Sequence, residues 1–238
     1  MHTLDRLGIK VFADGADLAG IVSLAANPLI KGFTTNPTLM RQAGVADYET
    51  FAHQAIPLVG DRPISFEVFS DEFEEMERQA LRIAAWGANV NVKIPVTNTA
   101  GESSAKLVRR LSADGVQLNV TALMSLGQVR TVAEALEGGP PAIVSVFAGR
   151  VADTGRDPVP LMAAALELVR PYPNIELLWA SPRELLNIVQ ANAIGCHIIT
   201  VTHDLLKKLP SLDRDLDDFS LDTVKMFHRD AEAAGYQL

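Results

Sequence analysis

The stretch Ala88-Asn-Val-Asn-Val-Lys-Ile-Pro-Val-Thr97 is the part of the sequence from which the fold is best predicted. Its β-branched residues at alternate positions predict a buried strand that ends near Pro95. Because side chains alternate along a strand, Lys93 points to the face opposite Val92 and Ile94. On the inner face of a closed sheet, such an amine must find a partner, lose its proton or take part in chemistry. The alternative is a side chain that extends to solvent at the strand end.

The composition is typical of a soluble globular enzyme with one barrel-sized domain or two smaller ones. The chain has 238 residues, of which 48% are hydrophobic and 21% charged. Its formal net charge of -8 disfavours nucleic acid and anionic membrane as partners, since both attract clustered Lys and Arg. The single cysteine, Cys196, excludes an internal disulfide and fits a reducing compartment. Without a signal-peptide pattern or an apolar run near 20 residues, the predicted location is the cytoplasm.

Short apolar runs alternate with helical patterns along the whole chain. Strands are predicted at 9–13, 31–34, 63–68, 89–94, 117–121, 142–147, 175–179 and 197–201. Helices are predicted at 17–29, 48–59, 71–86, 103–112, 126–136, 158–169, 183–193 and 204–209. An acidic linker at 213–218 precedes a last helix at about 221–234. Eight strand-helix units predict an α/β fold, a single (β/α)₈ TIM barrel over residues 1–238, in which 211–238 form a linker and a terminal helix. A doubly wound open sheet is the alternative.

Polar residues recur where the predicted strands end, which is where active sites form in such barrels. Each has an ordinary explanation alone; Asp14 is a possible helix cap, for example, and Asn36 a turn residue before proline. Their shared position instead predicts one active site at this rim. The candidates are Asp14, Asn36, Glu67, Lys93, Asn119, Thr121, Ser145, Phe147, Arg150, Ser181 and Arg183.

The order and spacing of these residues resemble the small transaldolases and the related fructose-6-phosphate aldolases. The matching blocks are Phe12-Ala-Asp14, Lys31-Gly-Phe-Thr-Thr-Asn-Pro-Thr38, Val92-Lys-Ile-Pro95, Leu118-Asn-Val-Thr-Ala-Leu123, Val144-Ser-Val-Phe-Ala-Gly-Arg150 and Ala180-Ser181. The resemblance implies a (β/α)₈ barrel and a reaction that needs no cofactor. It also implies that Lys93 forms a Schiff base with a ketose. Other class I aldolases usually carry this lysine on strand six rather than strand four.

The resemblance also implies a role for each polar residue. Asp14 matches the base that takes the C4 hydroxyl proton, and Glu67 and Thr121 match the pair that holds a catalytic water. The amides of Asn36 and Asn119, assisted by Ser145, suit the hydroxyls of a sugar chain.

A phosphate site is implied at Arg150, Ser181 and Arg183. The guanidinium groups of the two arginines offer forked donors. The run Ser181-Pro-Arg-Glu184 predicts a helix start, with Ser181 as N-cap and Glu184 completing a capping box. A helix N-terminus there would present free N–H groups to the anion. The sequence departs from the family pattern at Pro182, Trp179 and the Gly15-Ala16 pair.

Two positions favour the transaldolase branch, which transfers dihydroxyacetone between a ketose phosphate and an aldose phosphate. The aldolase branch typically has glutamine at the position of Glu67 and tyrosine at that of Phe147. The alternatives are a fructose-6-phosphate aldolase, an enzyme for a modified ketose such as a sulfonated one, and a non-catalytic sugar-phosphate binder. A homo-oligomer is expected, with the last helix covering the barrel or a neighbouring subunit.

No metal, nicotinamide or ATP role is predicted. The histidines show no metal-ligand spacing, and no Gly-rich nucleotide loop is present. Both His197 and Cys196 are expected to pack in the core. The five histidines are His2, His53, His197, His203 and His228.

Overall fold

Eight parallel strands close into a barrel in chain order, in a computed structural model that describes residues 7–237. Strand β1 pairs with both β2 and β8, which closes the sheet and excludes the open doubly wound alternative. The strands are β1 (Lys10–Asp14), β2 (Ile30–Thr34), β3 (Ile64–Glu67), β4 (Val90–Pro95), β5 (Leu118–Leu123), β6 (Ala142–Val146), β7 (Ile175–Trp179) and β8 (Ile198–Thr202). The predicted TIM barrel is therefore confirmed, and every predicted strand end lies within two residues of the observed one.

Helices follow the strands and cover the outside of the barrel. They are α1 (Leu18–Ala25), α2 (Pro37–Gln42), α3 (Tyr48–Val59), α4 (Phe73–Ala84), α5 (Ala105–Ala113), α6 (Leu126–Leu136), α7 (Ala148–Ala152), α8 (Pro158–Val169), α9 (Leu186–Ala193), α10 (His203–Leu206) and α11 (Leu216–Ala234). A 3₁₀ turn at Leu209–Ser211 follows α10. Of the five histidines, His2 lies outside the described residues.

Two short helices at the rim, α2 and α7, were not predicted. With six and five residues they are too short to show a helical hydrophobic period. The prediction was also wrong at the start of α11, because Leu216 to Asp218 lie in the helix rather than in a linker. Asp215 caps that helix by accepting hydrogen bonds from the N–H groups of Asp217 and Asp218. Acidic residues in a first turn favour the positive end of the helix dipole, so this acidic run begins a helix.

The inner face of the barrel has apolar residues below and polar residues above. A small buried cluster inside the barrel consists of Phe12, Ile143, Leu178, Ala180 and Ile198. A Cβ atom on Gly32 would lie 2.5 Å from the Phe12 ring, so only glycine leaves that ring its place. Since side chains two positions apart share a face, the residues that follow on the inner face project above this apolar floor.

Of the two residues expected to pack in the core, Cys196 does so, whereas His197 is only half-buried. Cys196 is buried, and burial raises the pKa of its thiol to about 12, which keeps the thiol unreactive at neutral pH. The His197 ring accepts a hydrogen bond from Leu177 N–H at its Nδ1 atom, 2.9 Å away. Across residues 7–237, no helix combines the length and the apolar character that crossing a membrane requires.

Candidate active site

A cavity of about 540 Å³ opens at the C-terminal end of the barrel strands. All eleven residues named from the sequence line it, together with Thr34, Thr200 and Thr202 from neighbouring strands. The eleven are Asp14, Asn36, Glu67, Lys93, Asn119, Thr121, Ser145, Phe147, Arg150, Ser181 and Arg183. They come from seven strands and from the loops and the short helix α7 that follow them, so closure of the barrel is what brings them together.

Lys93 lies inside the barrel and does not extend to solvent, since only 6% of its surface is exposed. Its Nζ atom donates a hydrogen bond to the Thr35 carbonyl at 2.8 Å and lies 3.0 Å from Glu67 Oε2. The remaining side of the amine faces the cavity. An amine in this position has one acidic neighbour with which it can exchange a proton and an open approach for a carbonyl carbon.

Asp14, at the end of β1, is the second titratable group of the cavity. Burial raises the pKa of its carboxyl group, while the positive charge of Lys93 and a hydrogen bond from Thr34 oppose that rise. Thr34 Oγ1 donates to Asp14 Oδ1 at 2.7 Å and lies 2.5 Å from Thr200 Oγ1. A carboxyl group whose pKa is raised toward neutrality is suited to take and return a proton.

Three inner-face side chains, from β3, β5 and β6, form a hydrogen-bond chain beside Lys93. Ser145 Oγ donates to Asn119 Oδ1 at 2.6 Å, and Asn119 Nδ2 donates to Ser65 Oγ at 3.1 Å. The chain fixes the orientation of the Asn119 amide.

Thr121 has a buried hydroxyl without a hydrogen-bond partner among the described residues. The next residue, Ala122, has a φ of 65°, at a point where the register between β5 and β6 shifts. A left-handed alanine costs about 1–3 kcal/mol, and such strain is typical of functional sites. An unpaired buried hydroxyl at the wall of a cavity is a group that a bound molecule or water satisfies.

The predicted helix start at Ser181 is wrong. Helix α9 begins at Leu186, and the residues from Ser181 to Leu185 form a loop. Ser181 has a φ of 59°, and its hydroxyl accepts a hydrogen bond from Arg183 Nη1 at 3.0 Å instead of capping a helix. The Asn187 side chain accepts from the N–H groups of Arg183 and Glu184, at 2.7 and 3.2 Å. The Asn187 amide oxygen therefore accepts from the N–H groups that were expected to be free for an anion.

Arg183 contacts a carboxylate that the sequence did not indicate. Its Nε atom donates to Asp153 Oδ1 at 2.9 Å, and Nη2 pairs with Oδ2 of the same residue. The hydrogen bonds from Arg183 lower the pKa of Asp153, so Asp153 carries a full negative charge at neutral pH. Arg150, whose guanidinium lies 6.0 Å from the centre of the Phe147 ring, forms no ion pair within residues 7–237 and is the more available cation.

Gly149 makes the close approach of α7 to the Ser181 loop possible. A Cβ atom at this position would lie 1.5 Å from the Ser181 carbonyl oxygen. Only glycine therefore allows Arg150, the next residue, to face Ser181 and Arg183 across the cavity.

The unusual glycine after Asp14 has a structural reason. A Cβ atom on Gly15 would lie 2.7 Å from His203 Nε2, and one on Gly20 would lie 2.4 Å from His203 Cε1. Burial lowers the pKa of His203, so the ring is mainly neutral at pH 7. The imidazole thus occupies the space that a larger residue would need at position 15. Two other residues depart from the family pattern. Trp179 is fully buried, whereas Pro182 lines the cavity.

Sequence reasoning missed Thr34, Asp153 and Tyr48, each of which contacts a predicted site residue, and Thr200, which contacts Thr34 and lines the cavity. Thr34 and Thr200 share the inner face of their strands and could have been found by the period-two rule. Tyr48 begins α3 and Asp153 directly follows α7, and no spacing rule connects them to their partners. Within residues 7–237, no group of three or more His, Cys, Asp and Glu side chains is arranged to hold a metal ion.

Comparison with known proteins relates the sequence to one family. A sequence model described as "Transaldolase/Fructose-6-phosphate aldolase" matches residues 11–238. A protein from Dehalococcoides mccartyi named "Probable transaldolase" is 32% identical over 202 residues, which cover 84% of this chain and 90% of the relative. A protein of the same name from Rhodospirillum centenum is 33% identical over 222 residues, which cover 91% and 92% of the two chains.

Comparison with solved structures relates the fold to other barrels. Dihydrodipicolinate synthase from Rhodopseudomonas palustris is similar with a TM-score of 0.54 and 14% sequence identity, over 90% of this chain and 79% of that one. At this identity the likeness shows the barrel fold and nothing of the chemistry.

Proposed function

Since the chain belongs to the transaldolase/fructose-6-phosphate aldolase family, we propose that it transfers a dihydroxyacetone unit from a ketose phosphate to an aldose phosphate through a Schiff base on Lys93. The observation that supports this most strongly is the buried Lys93 amine, 3.0 Å from Glu67 Oε2 and facing a polar cavity. Fructose 6-phosphate and sedoheptulose 7-phosphate are the donors that we propose.

The proposed reaction begins when the neutral Lys93 amine attacks the ketose carbonyl carbon. An ammonium has no lone pair, so a proton must leave Nζ first, and Glu67 is the nearest group that can accept it. Loss of water from the carbinolamine then gives a protonated imine. Glu67 and the unpaired Thr121 hydroxyl lie on either side of Lys93 in the sheet order, where they can relay the protons of this step.

Breaking the C3–C4 bond is the step that needs both the imine and a base. Asp14 takes the proton of the C4 hydroxyl, the C4–O bond becomes a carbonyl, and the electron pair of the C3–C4 bond moves into the imine as an enamine. The aldose phosphate leaves, an acceptor aldehyde enters, and the same steps run in reverse. The raised pKa of Asp14 suits a group that must take up a proton and return it in each cycle.

The remaining cavity residues suit a phosphorylated sugar chain. Asn119 lies next to Lys93 on the neighbouring strand β5, and Ser145 on β6 donates to it, so both lie where the hydroxyls of the dihydroxyacetone unit would lie. Asn36 uses its side-chain oxygen to accept from Leu39 N–H at 3.0 Å, which leaves its amide NH₂ to donate to a substrate hydroxyl. Arg150, Ser181 and Arg183 line the part of the cavity where we place the phosphate.

Phe147 supports the transferase rather than the aldolase activity. A phenol at this position could protonate the bound carbanion and release free dihydroxyacetone, whereas the phenyl ring of Phe147 has no proton to give. The test is an assay with fructose 6-phosphate, with and without erythrose 4-phosphate. We expect glyceraldehyde 3-phosphate to form rapidly only when the acceptor is present. Rapid release of free dihydroxyacetone without the acceptor would overturn the transferase proposal in favour of an aldolase.

A ketose with a different anionic group is the second candidate for the donor substrate. The Arg183–Asp153 pair is the observation that favours it. Asp153 neutralises part of the positive charge that a phosphate dianion would require, and Pro182 removes a backbone donor from the loop. A singly charged sulfonate needs less compensation. Steady-state rates with phosphorylated and sulfonated ketoses at equal concentration would decide which donor class has the higher kcat/KM.

A further inference from the structure

Tyr48, the first residue of α3, contacts the main chain beside the active site although it does not line the cavity. Its hydroxyl donates a hydrogen bond to the Glu67 carbonyl at 2.8 Å and accepts one from the Glu67 N–H at 2.8 Å. The ring packs edge-on against Phe66 and Phe69, with centroids 6.2 and 5.5 Å apart. One phenol oxygen therefore holds both main-chain groups of the residue that contacts Lys93.

This contact replaces a rung of the ladder between β2 and β3. Phe33 N–H donates to the Pro63 carbonyl at 2.8 Å, and Thr35 N–H donates to the Ser65 carbonyl at 3.1 Å. By the alternation of a parallel ladder, the next bond would run from the Glu67 N–H to the Thr35 carbonyl. That N–H instead donates to the Tyr48 hydroxyl.

The Thr35 carbonyl thereby becomes available to the catalytic amine. It accepts a hydrogen bond from Lys93 Nζ at 2.8 Å, while Glu67 Oε2 lies 3.0 Å from the same atom. The charged groups that face Lys93 are Glu67 on β3 and Asp14 on β1. The Thr35 carbonyl is thus a neutral acceptor that orients the Lys93 amine, whose other neighbours are the charged carboxylates.

We propose that Tyr48 is a positioning residue for Lys93: its hydroxyl takes the place of the Thr35 carbonyl in the ladder and leaves that carbonyl to hold the amine. The catalytic meaning of this arrangement rests on the proposed Schiff-base function, but the arrangement itself does not. Burial raises the pKa of the Tyr48 hydroxyl, so it keeps the proton that it donates to Glu67.

Removing the Tyr48 hydroxyl should change the protonation and the orientation of the Lys93 amine. In Tyr48→Phe the Glu67 N–H loses its partner, and the Thr35 carbonyl is the acceptor that the ladder register offers. Competition for that carbonyl weakens its bond to Lys93. A weaker acceptor stabilises the ammonium less, so the amine becomes neutral at a lower pH but is less well oriented.

The test measures the reactivity of Lys93 without any sugar. Wild type, Tyr48→Phe and the control Tyr172→Phe are treated with formaldehyde and cyanoborohydride across a pH series, and methylation of the Lys93 peptide is followed by mass spectrometry. We expect the pH midpoint of Lys93 methylation to move down by roughly half a unit to one unit in Tyr48→Phe, because one hydrogen bond to the ammonium is weakened but not lost. It should not move in Tyr172→Phe. A merely structural role would lower the thermal midpoint of unfolding without moving the pH midpoint.

A second variant keeps the test decisive if Tyr48→Phe does not fold. With 4-aminophenylalanine at position 48, the aniline can still donate to the Glu67 carbonyl, but its nitrogen is a poor acceptor for the Glu67 N–H. We expect this variant to show the same downward shift in the pH midpoint. A midpoint equal to that of wild type in every folded variant would overturn the proposal.

A sugar-dependent measurement separates this inference from the proposed function. If fructose 6-phosphate forms the adduct, kcat for Tyr48→Phe should fall about tenfold with an unchanged KM, because Tyr48 does not line the cavity. If wild type forms no adduct with any ketose, the proposed function fails while the methylation result still tests the positioning role.

Discussion

At the residue scale, Asp14 is the group on which bond cleavage depends in the proposed mechanism. We predict that Asp14→Asn lowers the rate of dihydroxyacetone transfer by about 10²–10⁴-fold, the usual contribution of a positioned acid or base. Formation of the Lys93 adduct should continue, because cleavage comes after it. The matched control is Asp17→Asn, since Asp17 caps α1 nearby and asparagine preserves that cap. Equal loss of adduct and of transfer in Asp14→Asn would contradict this division of roles.

The pH dependence of the reaction should follow the Asp14 carboxyl group. A base acts in its ionised form, so activity falls as the pH drops through its pKa, which burial raises. Thr34→Val removes a hydrogen bond that lowers this pKa. The acidic limb of kcat should therefore move to higher pH in Thr34→Val, and by a smaller amount in Thr200→Val, where Thr34 keeps its own bond to Asp14. An acidic limb that stays in place would show that another group is the base.

Phe147 offers a test of the transferase preference at a single ring. We expect Phe147→Tyr to raise the release of free dihydroxyacetone from fructose 6-phosphate in the absence of an acceptor, because a phenol can protonate the enamine. Phe147→Leu, which adds no proton donor, is the control. If both variants release dihydroxyacetone equally, loss of packing rather than proton donation is the cause.

Sequence reasoning located the polar residues of the cavity because strand periodicity and the position of active sites in barrels are both regular. These two rules were sufficient to place Lys93, Glu67 and Asp14 in the cavity. Tyr48 and Asp153 were missed because their contacts run from helix ends to residues 19 and 30 positions away, with no repeating pattern. Such contacts depend on how helix ends pack against strands and loops, which a period does not encode.

At the element scale, the loop before α9 shows where local pattern and tertiary structure disagree. Ser181-Pro-Arg-Glu184 has the residue types of a capping box, yet the helix starts later because the Asn187 side chain occupies the N–H groups of Arg183 and Glu184. The close approach of α7 also constrains this loop through Gly149. Tertiary contacts therefore override the capping preference.

Substitution of Gly149 tests this packing. In Gly149→Ala the methyl group would lie 1.5 Å from the Ser181 carbonyl oxygen, so the loop must move. We predict a roughly ten- to hundredfold loss of kcat/KM for phosphorylated donors, and a smaller loss for unphosphorylated fructose. Gly127→Ala in α6 is the control, because that position is open and alanine favours a helix. Equal losses for both sugars would place the damage outside the anion site.

At the scale of the whole molecule, the barrel was predictable and the place of the terminal helix was not. Eight strand-helix units leave few alternatives to a closed barrel. By contrast, no residue of α11 is buried, so the core does not fix where its apolar side lies. Phe227 is 62% exposed, and Leu221, Val224 and Met226 on the same helix are also exposed. A helix with such a surface is expected to pack on another molecule.

We predict that this helix mediates the expected self-association. The double substitution Val224→Asp and Phe227→Asp should lower the molar mass measured by light scattering and leave the barrel folded, because neither side chain packs in the core. Lys225→Glu, on another side of the same helix, should leave the mass unchanged. A wild-type mass of one chain at all concentrations would refute self-association.

The most direct measurement is reduction with borohydride in the presence of fructose 6-phosphate, followed by peptide mass spectrometry. We expect one covalent adduct, on the peptide that contains Lys93, and none in Lys93→Met. Lys31→Met, which removes an exposed amine from the opposite end of the barrel, should form the adduct normally. An unmodified Lys93 with every ketose tested, or an adduct on another lysine, would contradict the Schiff-base function.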